Sequence, residues 1–395
     1  MTGETGVPGA WSRVGRLKAA MRDQDLDAVV LSRPQSVFHQ TGFHAGIYSH
    51  PVVAVLGRAG GVGLAVHALR KVRAEAEGRV DSVSVFGHWG VHHGAESWQA
   101  AVAMELDRVG AGRGRVGFEG EFMSVAAWDG LREALPGVDW RDASGAIKGV
   151  RLVKDEDEVA NLRHAATFAD RGMAAALEAA RARRSEAEIA GAAMIEMQRL
   201  WQTDGTQASA MDFGHAEGGV LNGLWCYCLS GTRIALNCAP PTARVARKGE
   251  FEWIVIWSVY NGMHVENERC IVVDPGAEQR AIFEKILRIR AHVKAAVQPG
   301  ATCDDVARVA REQYEKEDVS QYLPGRVGHG VGLSPHEEPS LARGAGIRLE
   351  PGVAVTVEPN LRMPEIGGCQ HSDTVLVTTH GYESLTLTEN GLLTT

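Results

Sequence analysis

Two imidazoles and two carboxylates fall within Gly328-His329-Gly330-Val331-Gly332-Leu333-Ser334-Pro335-His336-Glu337-Glu338-Pro339, interleaved with glycines that let a backbone turn tightly. The stretch reads as an active-site loop. A single acid, Glu358, ends the strand-like run Val355-Thr356-Val357-Glu358-Pro359, and Gly367-Gly368-Cys369-Gln370-His371-Ser372-Asp373 places a second polar cluster just before an apolar strand pattern. Upstream, Glu266 and Glu268 stand two apart in Gly262-Met263-His264-Val265-Glu266-Asn267-Glu268-Arg269, so they share one face of a strand. Grouped carboxylates hold cations, either hard divalent ions or the N–H fork of a delocalised organic cation. Imidazole titrates where a group must take a proton from water and return it to a leaving nitrogen; His329 is the first candidate, with His336 and His371 behind it.

The elements that must carry these residues are visible as changes of period. Phe251 to Tyr260 and Arg269 to Val273 flank Asn261-Gly262, the strongest short hairpin signal. Helical spacing runs from Asp155 to Arg184, restarts at Ser185 and continues to about Trp201. Further helices are expected at 277–296 and 304–316, with strands and the motif loops after them. Before all this, residues 11–148 alternate short apolar strands (28–31, 52–56, 63–66) with amphipathic helices, a mixed α/β domain. The boundary is placed at 146–150, giving a second domain over 149–395. The tract His88, His92 and His93 is read as a solvated loop of the first domain.

The order of these motifs resembles the creatinase/aminopeptidase P family, together with Arg151-Leu152-Val153-Lys154-Asp155-Glu156-Asp157-Glu158-Val159. The resemblance covers nearly the whole chain and implies an α/β (α+β) architecture: a creatinase-type N-terminal mixed α/β domain followed by a C-terminal pita-bread catalytic domain. Metal-dependent members hold two divalent ions with two Asp, one His and two Glu. Laid over this sequence, the first Asp falls at Val255, the second at Glu266, the His at His329 and the two Glu at Glu358 and Ser372. Valine offers no ligand atom, and a neutral hydroxyl is a poor substitute for a bridging carboxylate. The two-ion centre is therefore expected to be absent.

Creatinase is the family's metal-free branch, and similarity to it implies roles. Glu268 and Glu358 would contact a guanidinium, His329 would act at the scissile C–N bond, and His336 would line the site. Creatinase's proton-shuttling histidine aligns near Cys238, and its late histidine is displaced by one residue, to His371. Arginines that grip creatine's carboxylate align with His50 and Ser340, so creatine is not the expected substrate. The family's dimer implies that Tyr48 and His50, with Phe43 and His44, close over a neighbouring active site. Glu266, Glu337 and Ser372 are expected against the substrate, with Glu337 raising the basicity of an imidazole and the Trp257 ring filling space left by the ions.

At 395 residues the chain is long enough for two cores. A net charge of −8 with mixed signs gives no basic footprint for nucleic acid. The first residues carry no basic-then-apolar leader and no stretch is apolar enough to span a membrane, so a cytoplasmic homodimer acting on a small molecule is expected. The six cysteines are read as thiols, not as a disulfide framework. The leading expectation is a metal-independent hydrolase, without cofactor, cleaving a C–N bond in a small cationic nitrogenous substrate. The alternatives are a lyase on the same scaffold, a metal-dependent Xaa-Pro aminopeptidase retaining one ion on Glu266, His329 and Glu358 with His371 as a further candidate ligand, and a non-catalytic binding protein.

Overall fold

A computed structural model describes residues 8–204, 208–213, 222–237 and 239–395, with the side chains of residues 8–12 excepted. The chain divides into two compact units. The first runs to Arg151 and takes in Phe213; the second runs from Leu152 to Asp212 and resumes at Asn222. Residues 146–150 lie inside a helix, Ser144–Leu152, so the division falls slightly later than the expected 146–150.

The first unit is built on six strands: β1 (Ala28–Leu31), β2 (Val52–Gly57), β3 (Val62–His67), β4 (Ser82–Phe86), β5 (Arg115–Phe118) and β6 (Asp139–Asp142), in the order β4-β3-β2-β1-β5-β6. The pairs β1–β2 and β2–β3 are antiparallel, whereas β3–β4, β1–β5 and β5–β6 are parallel. Val29 and Leu31 enter one apolar core, Ala28 and Val30 another. Both faces are covered, which is why these strands read as unbroken apolar runs. His88–Trp89 and His92–His93 form a small hairpin whose rings are largely exposed.

The second unit carries an eight-stranded sheet: β7 (Trp225–Ser230), β8 (Phe251–Tyr260), β9 (Met263–Val272), β10 (Arg326–Gly330), β11 (Glu337–Ala342), β12 (Ala354–Val357), β15 (Ser372–Thr378) and β16 (Gly381–Ser384). Between β12 and β15 lies a separate hairpin of β13 (Asn360–Met363) and β14 (Gly367–Gln370). The large sheet runs β11-β10-β12-β15-β9-β8-β7, with β16 on β15. Asn261 and Gly262, at φ 48° and 80°, form the expected two-residue turn, because both central positions of that turn need positive φ.

Helix α1 (Glu156–Arg181) packs on β8 and β9, and α2 (Glu186–Thr203) on β7. Asp155 with Glu158, and Ser185 with Glu188, close reciprocal caps at their starts. Ser258 Oγ donates to the Ala165 carbonyl at 2.7 Å, so Ile254, Ile256 and Ser258 face α1. Strand alternation then turns Trp253, Val255 and Trp257 the other way. Helices α3 (Ala277–Ala295) and α4 (Cys303–Lys316) pack against β12 and β14, and against β10 and β11, respectively.

The stretch around His329 is a strand where a tight loop is expected. Residues 326–330 form β10, and its glycines serve close approach: a Cβ on Gly328 would lie 2.1 Å from the Thr356 carbonyl oxygen, and one on Gly330 2.1 Å from that of Glu338.

Candidate functional site

Register assembles the site on one face of the second unit's sheet. Val255 on β8 stands opposite Glu268 on β9, which stands opposite Ser372 on β15; one step along, Trp257 pairs with Glu266. His329 on β10 and Glu358, just after β12, complete the group. His329 Nε2 lies 3.5 Å from Glu266 Oε2 and 3.5 Å from Glu358 Oε1. Its Nδ1 donates to the Gly330 carbonyl at 3.0 Å, which directs Nε2 at the two acids. No well-formed hydrogen bond satisfies that buried nitrogen among the described residues.

The ligand atoms of Glu266, Glu268 and Glu358 all lie within 4.8 Å of one another, as do those of Glu266, His329 and His336. Glu266, Glu268, Glu358 and His336 border a cavity of about 950 Å³, also lined by Trp225, Tyr227, Trp253, Trp257, Arg326 and Arg362.

Three carboxylates this close, out of water, cannot all ionise freely. Burial, then the charge of Glu266, pushes Glu358 up to about 8. Glu268 is driven well above the carboxylate range by burial and by both neighbouring acids. Burial also opposes the charge of Glu266, but the His329 imidazole and the Ser372 hydroxyl outweigh it and hold its carboxyl below the ordinary value. Ser372 Oγ donates to Glu266 Oε1 at 2.6 Å. Burial works against a charged His329, yet Glu266 and Glu358 raise its basicity. His336, its ring 4.3 Å from that of His329, is pushed down to about 4 by burial and by that neighbour.

This donor set fits one divalent cation. Clustered carboxylate oxygens and one imidazole aimed between two of them are hard-ion ligands, and a cation would relieve their mutual repulsion. A second ion is not accommodated, because the positions flanking Glu268 across the sheet are the apolar Val255 and the hydroxyl of Ser372. The Trp257 ring lies beside the set, 6.3 Å from the His329 ring and 5.3 Å from that of His336.

Two expected site residues of the second unit are placed elsewhere. His371 is fully buried and packs edge-on against Phe283 of α3 at 5.0 Å. Burial drives its basicity far down. A one-residue step along a strand reverses the face, so Gln370 and Ser372 serve the site while His371 does not. Glu337 pairs with buried Lys154 at 2.9 Å. Phe43 belongs to the first unit's core, 1% exposed, with Arg73 over its ring. In the same unit Tyr48 packs on that core and burial pushes its hydroxyl up to about 12, while His50 stacks on His67 at 3.9 Å. Cys238 lies outside the described residues.

Two site residues went unread in the sequence. Gln370 donates to Glu268, and Arg362 donates to Gln370 while its guanidinium stacks 3.9 Å over Trp253. The parity of Gln370 with Ser372 was the available signal for the first. Arg362 depends on the β13–β14 pairing, which has no local mark.

Residues 160–379 match the family model described as metallopeptidase family M24, and residues 13–153 match the creatinase/prolidase N-terminal domain. An Xaa-Pro dipeptidase of Pyrococcus furiosus is 29% identical over 279 residues, covering 70% of this chain and 75% of the relative. A putative dipeptidase of Bacillus subtilis is 28% identical over 271 residues, covering 68% and 69%. Among solved structures, an Xaa-Pro dipeptidase from Bacillus anthracis superposes with a TM-score of 0.81 at 22% identity, over 98% of this chain and 100% of that one. The N-terminal domain of a FACT complex subunit from chickpea also superposes, with a TM-score of 0.75 at 13% identity over 97% of each chain, so the architecture alone does not fix an activity. These matches bear out the expected order of a creatinase-type domain followed by a pita-bread domain.

They overturn the leading functional expectation. Metal-independent cleavage of a non-peptide C–N bond is replaced by membership of a hydrolase family whose model is that of metallopeptidases and whose similar relatives bear dipeptidase names. The leading expectation took loss of the two-ion centre as loss of all metal, whereas these matches favour the alternative of a metal-dependent Xaa-Pro peptidase. Among the described residues no helix is long and apolar enough to cross a membrane.

Proposed function

Because the chain belongs to metallopeptidase family M24, we propose that it hydrolyses short peptides of the Xaa-Pro type with the help of one divalent ion, held by Glu266, His329 and Glu358. The observation that carries this reading is the unsatisfied His329 Nε2, 3.5 Å from a carboxylate oxygen on either side.

A divalent ion bound there would lend Lewis acidity to the peptide carbonyl. The remaining work falls to the chain. Hydrolysis adds the hydroxyl of water to the carbonyl carbon and its proton to the departing nitrogen. With a cation neutralising the acids beside it, Glu268, whose carboxyl Gln370 holds in place, would take that proton from water and return it to the departing nitrogen. His336, neutral and bordering the cavity, offers a hydrogen bond to the peptide. Ser372 fixes the rotamer of Glu266 through its 2.6 Å bond.

The test is proline release from Xaa-Pro dipeptides by chelated protein and by protein reloaded with Mn²⁺, Co²⁺ or Zn²⁺, alongside elemental analysis. Activity should return with metal at one ion per chain, and Glu358→Gln should lower kcat by about 100-fold or more. Undiminished turnover after chelation, or no turnover with any of the three metals, overturns the reading.

A further inference from the structure

The tract His88, His92 and His93, which reads as a solvated loop, folds as a two-stranded ribbon of the first unit, and that brings two imidazoles together. Gly90, at φ 57°, opens the two-residue turn Gly90-Val91, where a tight hairpin calls for glycine first. The turn fixes the register. His88 stands directly opposite His93, and Trp89 opposite His92. Gly94 N–H donates to the Gly87 carbonyl at 2.9 Å, so the next pair, His88 with His93, falls between bonded pairs, where facing side chains approach most closely. The two rings lie nearly parallel, 13° apart in plane, with 6.2 Å between their centroids. With nitrogen–metal bonds of about 2.0–2.1 Å and a ring's own radius added on each side, that is close to the separation of two imidazoles sharing one ion. Both residues are exposed, so their rings can turn a nitrogen to it. The ribbon is also anchored: Phe86 bridges to Ala95, whose N–H donates to the Val85 carbonyl at 2.7 Å, so it grows directly out of β4. The neighbouring side chains do not oppose a cation. A Cβ on Gly87 would lie 2.7 Å from His67 Nε2, and burial, then His50, Arg70 and His88, hold that imidazole below its ordinary value, which keeps it neutral. Arg70 commits its guanidinium to the Ile47 carbonyl and the Ser49 hydroxyl.

We propose that His88 and His93 chelate a late first-row divalent ion, Cu²⁺ before Ni²⁺ and Zn²⁺, in a site carried wholly by the first unit. It stands independently of the peptide-hydrolysing reading above. A pair of imidazole nitrogens suits these ions, and Mn²⁺ stands lowest in the same order, whereas the carboxylates of the second unit are ligands for hard cations. The two centres therefore sort metals by donor type. An ion held across His88 and His93 staples a two-stranded ribbon that is marginal by itself. Exposed and held by only two side chains, it exchanges with solvent and is lost on gel filtration, so it does not enter the ion count of the buried centre.

The test is Cu²⁺ titration of Mn²⁺-loaded wild type and of Glu266→Gln, which disarms the second unit's centre, followed by calorimetry and by electron paramagnetic resonance, where each nitrogen ligand splits the copper signal. In both proteins the first Cu²⁺ taken up should show two nitrogen ligands. His88→Ala and His93→Ala should each weaken that binding by roughly 100-fold or more, since losing a ligand costs at least what losing its outer hydrogen-bond partner can. His92→Ala, on the opposite face of the ribbon, should leave it unchanged. All three positions lie on the surface ribbon, so circular dichroism and the metal-free unfolding midpoint should match wild type. Ni²⁺ and Zn²⁺ should bind more weakly with the same dependence on His88 and His93. Cu²⁺ binding that survives both His88→Ala and His93→Ala, that falls equally in His92→Ala, or that disappears in Glu266→Gln overturns the site, as does Mn²⁺ binding to it as tightly as Cu²⁺.

Discussion

At the scale of single residues, the unusual position is Val255, an apolar side chain 1% exposed and set opposite a buried glutamate. With Ser372 on the other flank of Glu268, it is the physical reason a second ion has no ligands. Restoring both acids should reverse that. Val255→Asp combined with Ser372→Glu is expected to raise the metal content from one to two ions per chain by elemental analysis. The metal-free double variant should be less stable than wild type by several kcal/mol, since the site would then crowd five carboxylates without a counterion. Metal content unchanged at one, in a variant that folds, would show that something other than these two side chains limits occupancy. Glu266, Glu268, His329 and Glu358 were legible in the sequence because each sits in a motif whose spacing is local. His371 was misread and Gln370 missed for one reason: which of two adjacent residues faces the cavity is set by strand pairing, and a shift of one reverses the answer.

Among the elements, β9 ties the site to the sheet's interior. Its cavity face carries Glu266 and Glu268, and its other face carries Arg269, fully buried. Arg269 Nη2 donates to Asp373 Oδ1 at 2.8 Å, and Arg290 and Lys294 from α3 reach the second oxygen of the same carboxylate. Burial alone would raise the carboxyl of Asp373, but the three cations overwhelm it and hold it far below the carboxylate range. A depressed folded-state value means stability that is present above the ordinary carboxylate value of about 3.9 and is lost as pH falls below it. Asp373→Asn should therefore cost about 3–5 kcal/mol near neutrality, because it strands buried cations. Urea unfolding should also show the gap from wild type narrowing as the pH drops below about 4. A pH-independent gap would assign the loss to packing. This network could not be read from the chain, since its members lie far apart in sequence. The helices and the Asn261-Gly262 hairpin could, because caps, period and turn chemistry are written within a few residues. The glycines around His329 were recognised as significant, but their purpose, backbone contact between strands, is visible only once β10 has neighbours.

For the whole molecule, sequence length and changes of period were enough to separate two units, since each closes its own apolar core around its own sheet. The site's ligands all belong to the second, and that has a measurable consequence. A ligand that binds only the folded state stabilises it by RT ln(1 + [L]/Kd), about 2.7 kcal/mol at a hundredfold excess over Kd, or roughly 100-fold slower exchange for amides that exchange through opening of the liganded unit. Native-state hydrogen exchange with and without Mn²⁺ should therefore show slowing concentrated in β9, β10 and β12, the strands that carry or adjoin Glu266, His329 and Glu358. The buried strands β1 and β2 of the first unit should keep their metal-free rates, and Glu266→Gln should abolish the effect. Equal slowing in both sheets would mean that the units open as one, and Mn²⁺-dependent slowing confined to β1 and β2 would place the ion outside this site. The chain's departures from its family are thereby given one physical meaning. Val255 and Ser372 subtract a second ion's ligands, and the three side chains that remain are enough to couple a single ion to the stability of the unit that holds it.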